Sequence, residues 1–591
     1  MDTNEDISEL HFEVLPLEVA QKLPELDLSS FSLKVVSTTQ TKANDGGGIL
    51  PVKSITCLNE EVIIETSGEN LPALFFKGVE GASCRLKLTD GINNVSSSYF
   101  SLTPDNTDGG FFFRLQDLNG EQFEPFLVDK DVIHIVVPQN INLSALYPIF
   151  TGNDVFMSSF GFEITGKQAF DFSDFTKPFT FRQVSASGTE KNWTVNLYDL
   201  PVLVMNTPDG KPILSKTERV EGCTMKIYNT NQEVSDLGTA GVRGRGNTTW
   251  KYPKKPYNVK LDKKKEVLGM NKSKHWQLIS NPFYDRTQIH NATAYEVARL
   301  TDYPWVQNGK FVELILNGEH RGIYYVCEKV RVESGKIDIA ETKANTPADE
   351  SGYLLESRVD LADGFNIDTY PENCFSTGVL TETGHGATIC VLGWEISEPE
   401  DYLRNDHIEY VKNSLAYVET LIANSVETGE YRDYFDIETA IDWWLTEQLC
   451  LNEEATRSKN IYMYKDGKGL FRLGPPWDFD YSTFGQLGTG ALSWNINSAL
   501  YYRYLFNDPV FVRRLKEKWN EYKEKWRMQI PVFIEENGKM LKRAGERNSA
   551  MWPDWYWANF YPQYSYMELI HTMKDNFIKQ LEYMDGWINS L

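Results

Sequence analysis

The sequence predicts a multi-domain chain, with all-β, sandwich-like domains at the N-terminus followed by a two-lobed α+β domain. Three observations predict it. Runs with period-two alternation recur between turn residues over the first 200 positions or so. Beyond about 204 strands persist to Asp360 and then yield to apolar residues at helical spacing. An Asn- and Asp-bearing element near 460–480 interrupts those helices. A chain of 591 residues exceeds what one apolar core supports. The expected divisions are a sandwich-like domain over 1–140, a small β domain over 141–203, and the α+β domain over 204–591.

In the first division, Val62–Thr66, Cys84–Leu88 and Val132–Val137 alternate apolar and polar residues between Gly, Asn and Asp turns. Lys42–Gly48 reads as a loop. The second division holds Phe160–Ile164, Phe179–Val184 and Trp193–Leu197. It resembles the small Ig-like modules that precede catalytic domains in secreted and envelope proteins.

Composition excludes several classes. A net charge of −24 opposes nonspecific binding to nucleic acid or anionic membrane. Seven cysteines without a CxxC pair disfavour zinc ribbons and thioredoxin-like redox sites. There is no GxSxG, no HExxH, and the eight histidines are dispersed. The opening Met1–Asp6 is acidic and lacks the apolar core of a signal peptide, and no run has the length of a transmembrane helix. The chain as given is therefore expected to be soluble, with its cellular address undecided.

The third division carries the chemistry. Gly241–Trp250 alternates glycines with Arg243 and Arg245, a pattern that lets backbone N–H groups and guanidinium charge approach a phosphate. Lys254–Leu261 alternates like a strand. Lys255 shares a face with Tyr257, Val259 and Leu261, while Lys260 lies on the other, so either lysine is a candidate phosphate ligand. Asp285 reads as an N-cap ahead of an apolar stripe through Ile289, Ala292, Tyr295 and Ala298, on which Glu296 is placed to pair with the strand lysine. Val312–Val330 is a β-hairpin turning at Asn317-Gly318. Helices are expected over 436–450, 508–540 and 567–587.

Between the first two of these helices lie Asn460–Asp466 and then Gly474-Pro475-Pro476-Trp477-Asp478-Phe479-Asp480. Two carboxylates one residue apart on a Gly/Pro-bounded turn can face one polyvalent cation, and Asn460 and Glu454 stand shortly upstream.

RGRGNTTW, KKPYNVKL, LGM followed by HWQLISN, VELILNGEHRGIYYV, GYLLE, KNIYMYKD and GPPWDFD occur in that order. Together they resemble the CotH (spore coat protein H) kinase family, an atypical, secreted, protein-kinase-like group, over residues 204–591. The resemblance implies that Asp478, with Asp480 beside it, and Asn460 hold metal. It puts Glu454 at the catalytic-loop acid, where the family has Asp, and spaces it six residues from Asn460 rather than the five of the usual kinase loop. The phosphate-facing lysine falls on Lys255 or Lys260, the loop arginine on Arg243, and the helix acid on Glu296. His290 stands where relatives carry Arg. The activity so implied is transfer of the ATP γ-phosphate to protein Ser/Thr with Mg²⁺ or Mn²⁺, by a secreted or cell-surface protein with a protein partner and no nucleic acid. The alternative is a catalytically weak kinase-like scaffold that acts as a surface binding or structural protein.

Overall fold

The computed structural model describes residues 112–591 except 152–153, 160, 186–187, 282–284, 359–371, 384–388, 486–495 and 554–563. Within the first 111 residues it describes only the backbone of short strands. The runs at 62–66 and 84–88 fall on two of these, Glu61–Thr66 and Ser83–Thr89, which pair in parallel. The loop expected at 42–48 lies outside the described residues.

The chain divides into two compact units, one of residues 1–204 with 226–236, the other of 205–225 with 237–591. From 112 on, the first unit is all β. Val132–Val136 runs parallel to Glu190–Tyr198, and Phe112–Gln116 pairs antiparallel with Tyr147–Thr151. Alternation places Phe113, Leu115, Ile133, Ile135, Trp193, Val195 and Leu197 in one apolar core with Phe156 and Phe181. A division at 140 is therefore corrected: strands from both sides of it share sheets and one core. A short run such as 132–137 satisfies the alternation rule in either half, and only its partner decides which core it joins.

Most of a closed seven-stranded barrel belongs to the second unit. Its strands are β1 (Val202–Asn206), β2 (Val220–Tyr228), β3 (Val234–Gly244), β4 (Tyr257–Val267), β5 (Met270–Ile279), β6 (Gly309–Leu316) and β7 (Glu319–Glu328), in the order β1-β2-β3-β4-β5-β7-β6. Closure leaves no free edge. Val242, Val259, Leu261, Trp276 and Leu278 point into the barrel core, so the residues between them face outward. The β6–β7 turn is the expected Asn-Gly, with φ of 51° at Asn317 and 78° at Gly318; both left-handed values match a type I′ turn. Helix α1 (His290–Arg299) lies between β5 and β6.

The remainder is mixed rather than helix-rich. A five-stranded sheet of β8 (Gly352–Ser357), β9 (Cys374–Thr383), β10 (Ile389–Glu398), β11 (Tyr462–Asp466) and β12 (Phe471–Leu473) runs β9-β10-β8-β11-β12. Helices α2 (Asn405–Ser425) and α3 (Ile437–Leu449) come between β10 and β11, with α4 (Pro509–Met551) and α5 (Tyr566–Ser590) after the sheet. Asp436 caps α3 by accepting from Glu438 N and Thr439 N, and Asp508 caps α4 by accepting from Val510 N. A capping box of Ser565 and Glu568 opens α5. The apolar stripe of α4 buries Phe511, Leu515, Trp519, Tyr522 and Trp526 completely, and the helix runs eleven residues beyond the expected 540.

Candidate functional site

Strands β11 and β12 deliver the chain into the turn at 474–485, and several contacts hold that turn. Gly474 N donates to Tyr462 O at 2.8 Å, and Gln307 Nε2 donates to Pro476 O at 3.1 Å. Trp477 packs on Tyr462 with ring centroids 4.8 Å apart, in a cluster with Leu354 and Tyr464. Phe479, fully buried, separates the two aspartates. Its N–H donates to Asn291 Oδ1 at 2.9 Å, and its carbonyl accepts the Thr483 hydroxyl at 2.7 Å. Thr483 Oγ1 also lies 2.8 Å from His290 Nδ1. The first residues of α1 thus grip the Asp478–Asp480 turn.

Asp285 supports this grip. Its carboxylate accepts from His290 N at 3.2 Å and from the Thr287 hydroxyl at 2.8 Å. It braces the start of α1 from outside the helix, whose N-cap position is Ile289 and not Asp285.

Asp478 has φ of 68°, a conformation that strains a non-glycine residue, and Asn460 has φ of 58°. Glu454 opens a short 3₁₀ turn, Glu454–Arg457, and Ser458 follows in the left-handed region. That turn absorbs the six-residue spacing, because Asn460 Nδ2 donates to Glu454 Oε2 at 3.0 Å. Asn452 stands behind, accepting from Glu454 N at 3.1 Å and donating to Glu447 Oε2 at 2.8 Å. Arg457 is drawn aside to Glu453 at 2.9 Å.

The electrostatics bind these groups into one cluster. Burial, and then the Asp478 charge, push Glu454 up to about 7. Burial raises Asp478, with Arg245 opposing, and burial with the Asp478 and Glu454 charges drives Asp480 well above the ordinary carboxylate range. Neither aspartate takes a hydrogen bond from a protein group among the described residues. Glu447, fully buried, is also pushed well above its ordinary value.

Arg245 is the cation that faces this cluster. It is buried, and its guanidinium lies 5.8 Å from the Trp477 ring centroid. The other basic and acidic candidates are engaged elsewhere. Lys255 Nζ donates to Trp250 O at 2.6 Å and lies over the Trp250 ring. Lys260 is exposed on the outer barrel face opposite Gly241 and His275. Arg243 donates to Thr217 O at 3.3 Å. Glu296 pairs with Arg299 at 2.8 Å instead of with a strand lysine.

The glycines of the 241–250 segment have packing duties. A Cβ on Gly244 would meet the Trp250 ring at 2.6 Å, and Gly246 turns the chain at φ 78°. Four residues beyond the segment, Lys254 is buried and donates to Ile323 O at 2.6 Å and Asn548 Oδ1 at 2.8 Å. Burial lowers this lysine to about 7. Glu447 and Lys254 escaped the sequence reading; for Glu447 the available signal was a charged residue whose neighbours three and four positions away, Trp443, Trp444, Cys450 and Leu451, are all apolar, and Lys254 offered none.

A strand-built barrel and a mixed sheet-and-helix part together frame paired aspartates, an acid, an amide and one arginine. Residues 242–590, well over half of the chain, match the family model described as CotH kinase protein, and the chain belongs to that family. Among curated proteins none matches the chain.

The family implies ATP and a divalent metal in general. Among the described residues no group of three His, Cys, Asp or Glu side chains is gathered to hold a metal ion. The donors present suit a cation that arrives with its substrate. Mg²⁺ is commonly held by one or two carboxylates plus substrate phosphates, and the half-buried Asp478 and buried Asp480, neither with a hydrogen-bond partner among the described residues, offer oxygen donors of that kind.

Proposed function

We propose that this chain is an atypical protein kinase with a two-lobed kinase-like domain, which transfers the ATP γ-phosphate to a Ser or Thr hydroxyl of a protein. The observation that supports this reading is the gathering of Glu454, hydrogen-bonded to Asn460, with Asp478, Asp480 and Arg245, whose charges act on one another. Mg²⁺ or Mn²⁺, held by Asp478, Asp480 and Asn460, would neutralise charge on the phosphates. Arg245 supplies fixed positive charge beside the aspartates. Glu454, poised near 7 and oriented by Asn460 and Asn452, takes the proton of the acceptor hydroxyl. Lys254 anchors the chain just beyond the segment that carries Arg245.

The family's association with the spore coat fits work outside the cytoplasm, on a surface or matrix protein. Among the described residues no helix is long and apolar enough to cross a membrane.

The test is a thermal-shift titration with ATP and Mn²⁺ alongside transfer of labelled phosphate to a protein acceptor. Stabilisation that disappears in Asp478→Ala, together with transfer, is the expected result. Binding without transfer would leave a nucleotide-holding scaffold in place of the enzyme.

A further inference from the structure

Helix α3 carries one acid into apolar surroundings. Glu447 is fully buried, and Trp443, Trp444, Cys450 and Leu451 beside it are buried as well. Among the described residues no lysine, arginine or histidine pairs with it. Its Oε2 accepts from Asn452 Nδ2 at 2.8 Å, while its Oε1 is buried and meets no hydrogen-bond partner among the described residues. An ionised carboxylate has about four acceptor positions to fill, and a single bond would leave a buried charge uncompensated. Burial favours the protonated form, the Asp478 charge adds to that preference, and the Asn452 bond opposes it. Glu447 therefore stands as a neutral acid.

The helix itself does not need this carboxyl. Its end is closed by main-chain bonds, from Cys450 N to Thr446 O at 3.0 Å, Leu451 N to Gln448 O at 3.2 Å and Asn452 N to Glu447 O at 3.0 Å. A leucine in the same place would avoid the cost of burying a polar group. What the carboxyl adds is a hold on the Asn452 side chain. Glu454 N can only donate, so the Asn452 oxygen must face it, at 3.1 Å, and the amide nitrogen must face Glu447. The amide is thereby fixed at both ends.

From there the path to Glu454 is short. Asn452 holds its main chain, and Asn460 holds its carboxyl at 3.0 Å. The segment around it is irregular, with φ of 55° at Leu451 and 53° at Ser458 and one four-residue 3₁₀ turn between them. Such a segment lacks the repeating bonds of a long helix or a sheet, so ties from side chain to main chain decide where its residues stand. A neutral anchor also adds no charge beside Asp478, which an ionised one would.

We propose that Glu447 is a positioning residue of the phosphotransfer centre, setting through the Asn452 amide where the Glu454 carboxyl stands. This rests on the reading of Glu454 as the base of phosphoryl transfer. The role requires an acceptor oxygen at the Asn452 amide and no charge.

The experiment compares Glu447→Gln with Glu447→Met in the full chain. The first keeps an uncharged side chain with an oxygen for Asn452; the second keeps the length and removes the oxygen. In transfer of labelled phosphate from ATP with Mn²⁺ to a protein acceptor, Glu447→Gln retains kcat within about threefold of the parent. Glu447→Met lowers kcat by about 10²-fold, with KM for ATP and the melting temperature close to those of the parent. Crystal structures of both variants give a readout independent of activity: the Asn460–Glu454 contact persists in Glu447→Gln and is lost in Glu447→Met. Parental kcat or an unmoved Glu454 in Glu447→Met overturns the role, as does a Glu447→Gln protein as slow as Glu447→Met. A change in KM or melting temperature in place of kcat marks a purely structural acid and overturns it too. Should Glu447→Met not fold, Asn452→Ala breaks the same path one residue later and is judged by the same outcomes. If the parent itself transfers no phosphate, the phosphotransfer reading falls, and the crystal structures still decide whether Glu447 places Glu454.

Discussion

At the scale of single residues, the cluster around Asp478 is built against its own folding. Burial and mutual repulsion raise the carboxylates, so the folded state holds protons that the unfolded chain releases. Their contribution to stability is greatest near the ordinary carboxylate range and declines as pH rises, through about 7 for Glu454. Asp480→Asn removes one buried ionisable carboxyl from the cluster. At pH 8 without metal this variant is expected to unfold at a higher temperature than the parent, by about 1–3 kcal/mol of stabilisation, while losing the Mn²⁺-dependent thermal shift. An unchanged metal response would remove Asp480 from the ligand set. On the proposed reading Glu454 sets the pH response of transfer. kcat/KM should rise with pH along a limb near 7, as the carboxyl loses its proton. Glu454→Gln should erase that limb and reduce kcat by about 10²–10⁴-fold. A limb that survives the substitution would assign the base elsewhere. Residue-level reading of the sequence named the acids and, as candidate cations, Arg243, Lys255 and Lys260, whereas the charge set against Asp478 is that of Arg245. Arg243, Lys255 and Lys260 satisfy the same local pattern as Arg245 and Lys254, and strand alternation does not tell which side chain a neighbouring element covers.

At the scale of elements, the Asp478–Asp480 turn is held by α1 through Asn291 and His290, residues nearly two hundred positions earlier. The Asn-Gly hairpin was readable because its turn closes within a few residues, whereas the cap expected at Asp285 falls on Ile289. The division at 140 and the helix-rich reading of the C-terminal part were not readable, because pairing in a sheet is settled between distant strands. Helices α4 and α5 show the same dependence. A Cβ on Gly538 would sit 2.5 Å from Ile570, and one on Gly545 would sit 2.5 Å from the Tyr566 ring. These glycines lower helix propensity and permit close approach of the two helices. Gly538→Ala should therefore destabilise by ~1–3 kcal/mol from overpacking, partly offset by a helix-propensity gain of roughly 1 kcal/mol. A thermal melt of the variant decides it; a higher melting temperature would mean that α4 and α5 pack more loosely than this contact.

At the scale of the whole molecule, the family match begins at 242, inside β3. The barrel that presents Arg245 needs β1 and β2 as well, since they close it. A chain starting at 242 lacks those strands and most of β3, which exposes an edge of β4. It should be insoluble, whereas a chain of residues 200–591 should stay soluble and keep the ATP- and Mn²⁺-dependent thermal shift. A well-folded 242–591 fragment would show that barrel closure is dispensable.

By itself the sequence determined the order of the chemistry: a Gly/Arg loop, a lysine-bearing strand, an Asn-Gly hairpin, an acid–amide pair and a Trp-Asp-Phe-Asp turn, and with them the family. Those are local patterns, set by turn geometry, alternation and spacing. Only the tertiary structure decided which cation meets Asp478, how a six-residue spacing still brings Glu454 to Asn460, and why the carboxylates are raised. Each of these depends on burial and on charges brought together from distant segments, and neither quantity exists until the chain has packed.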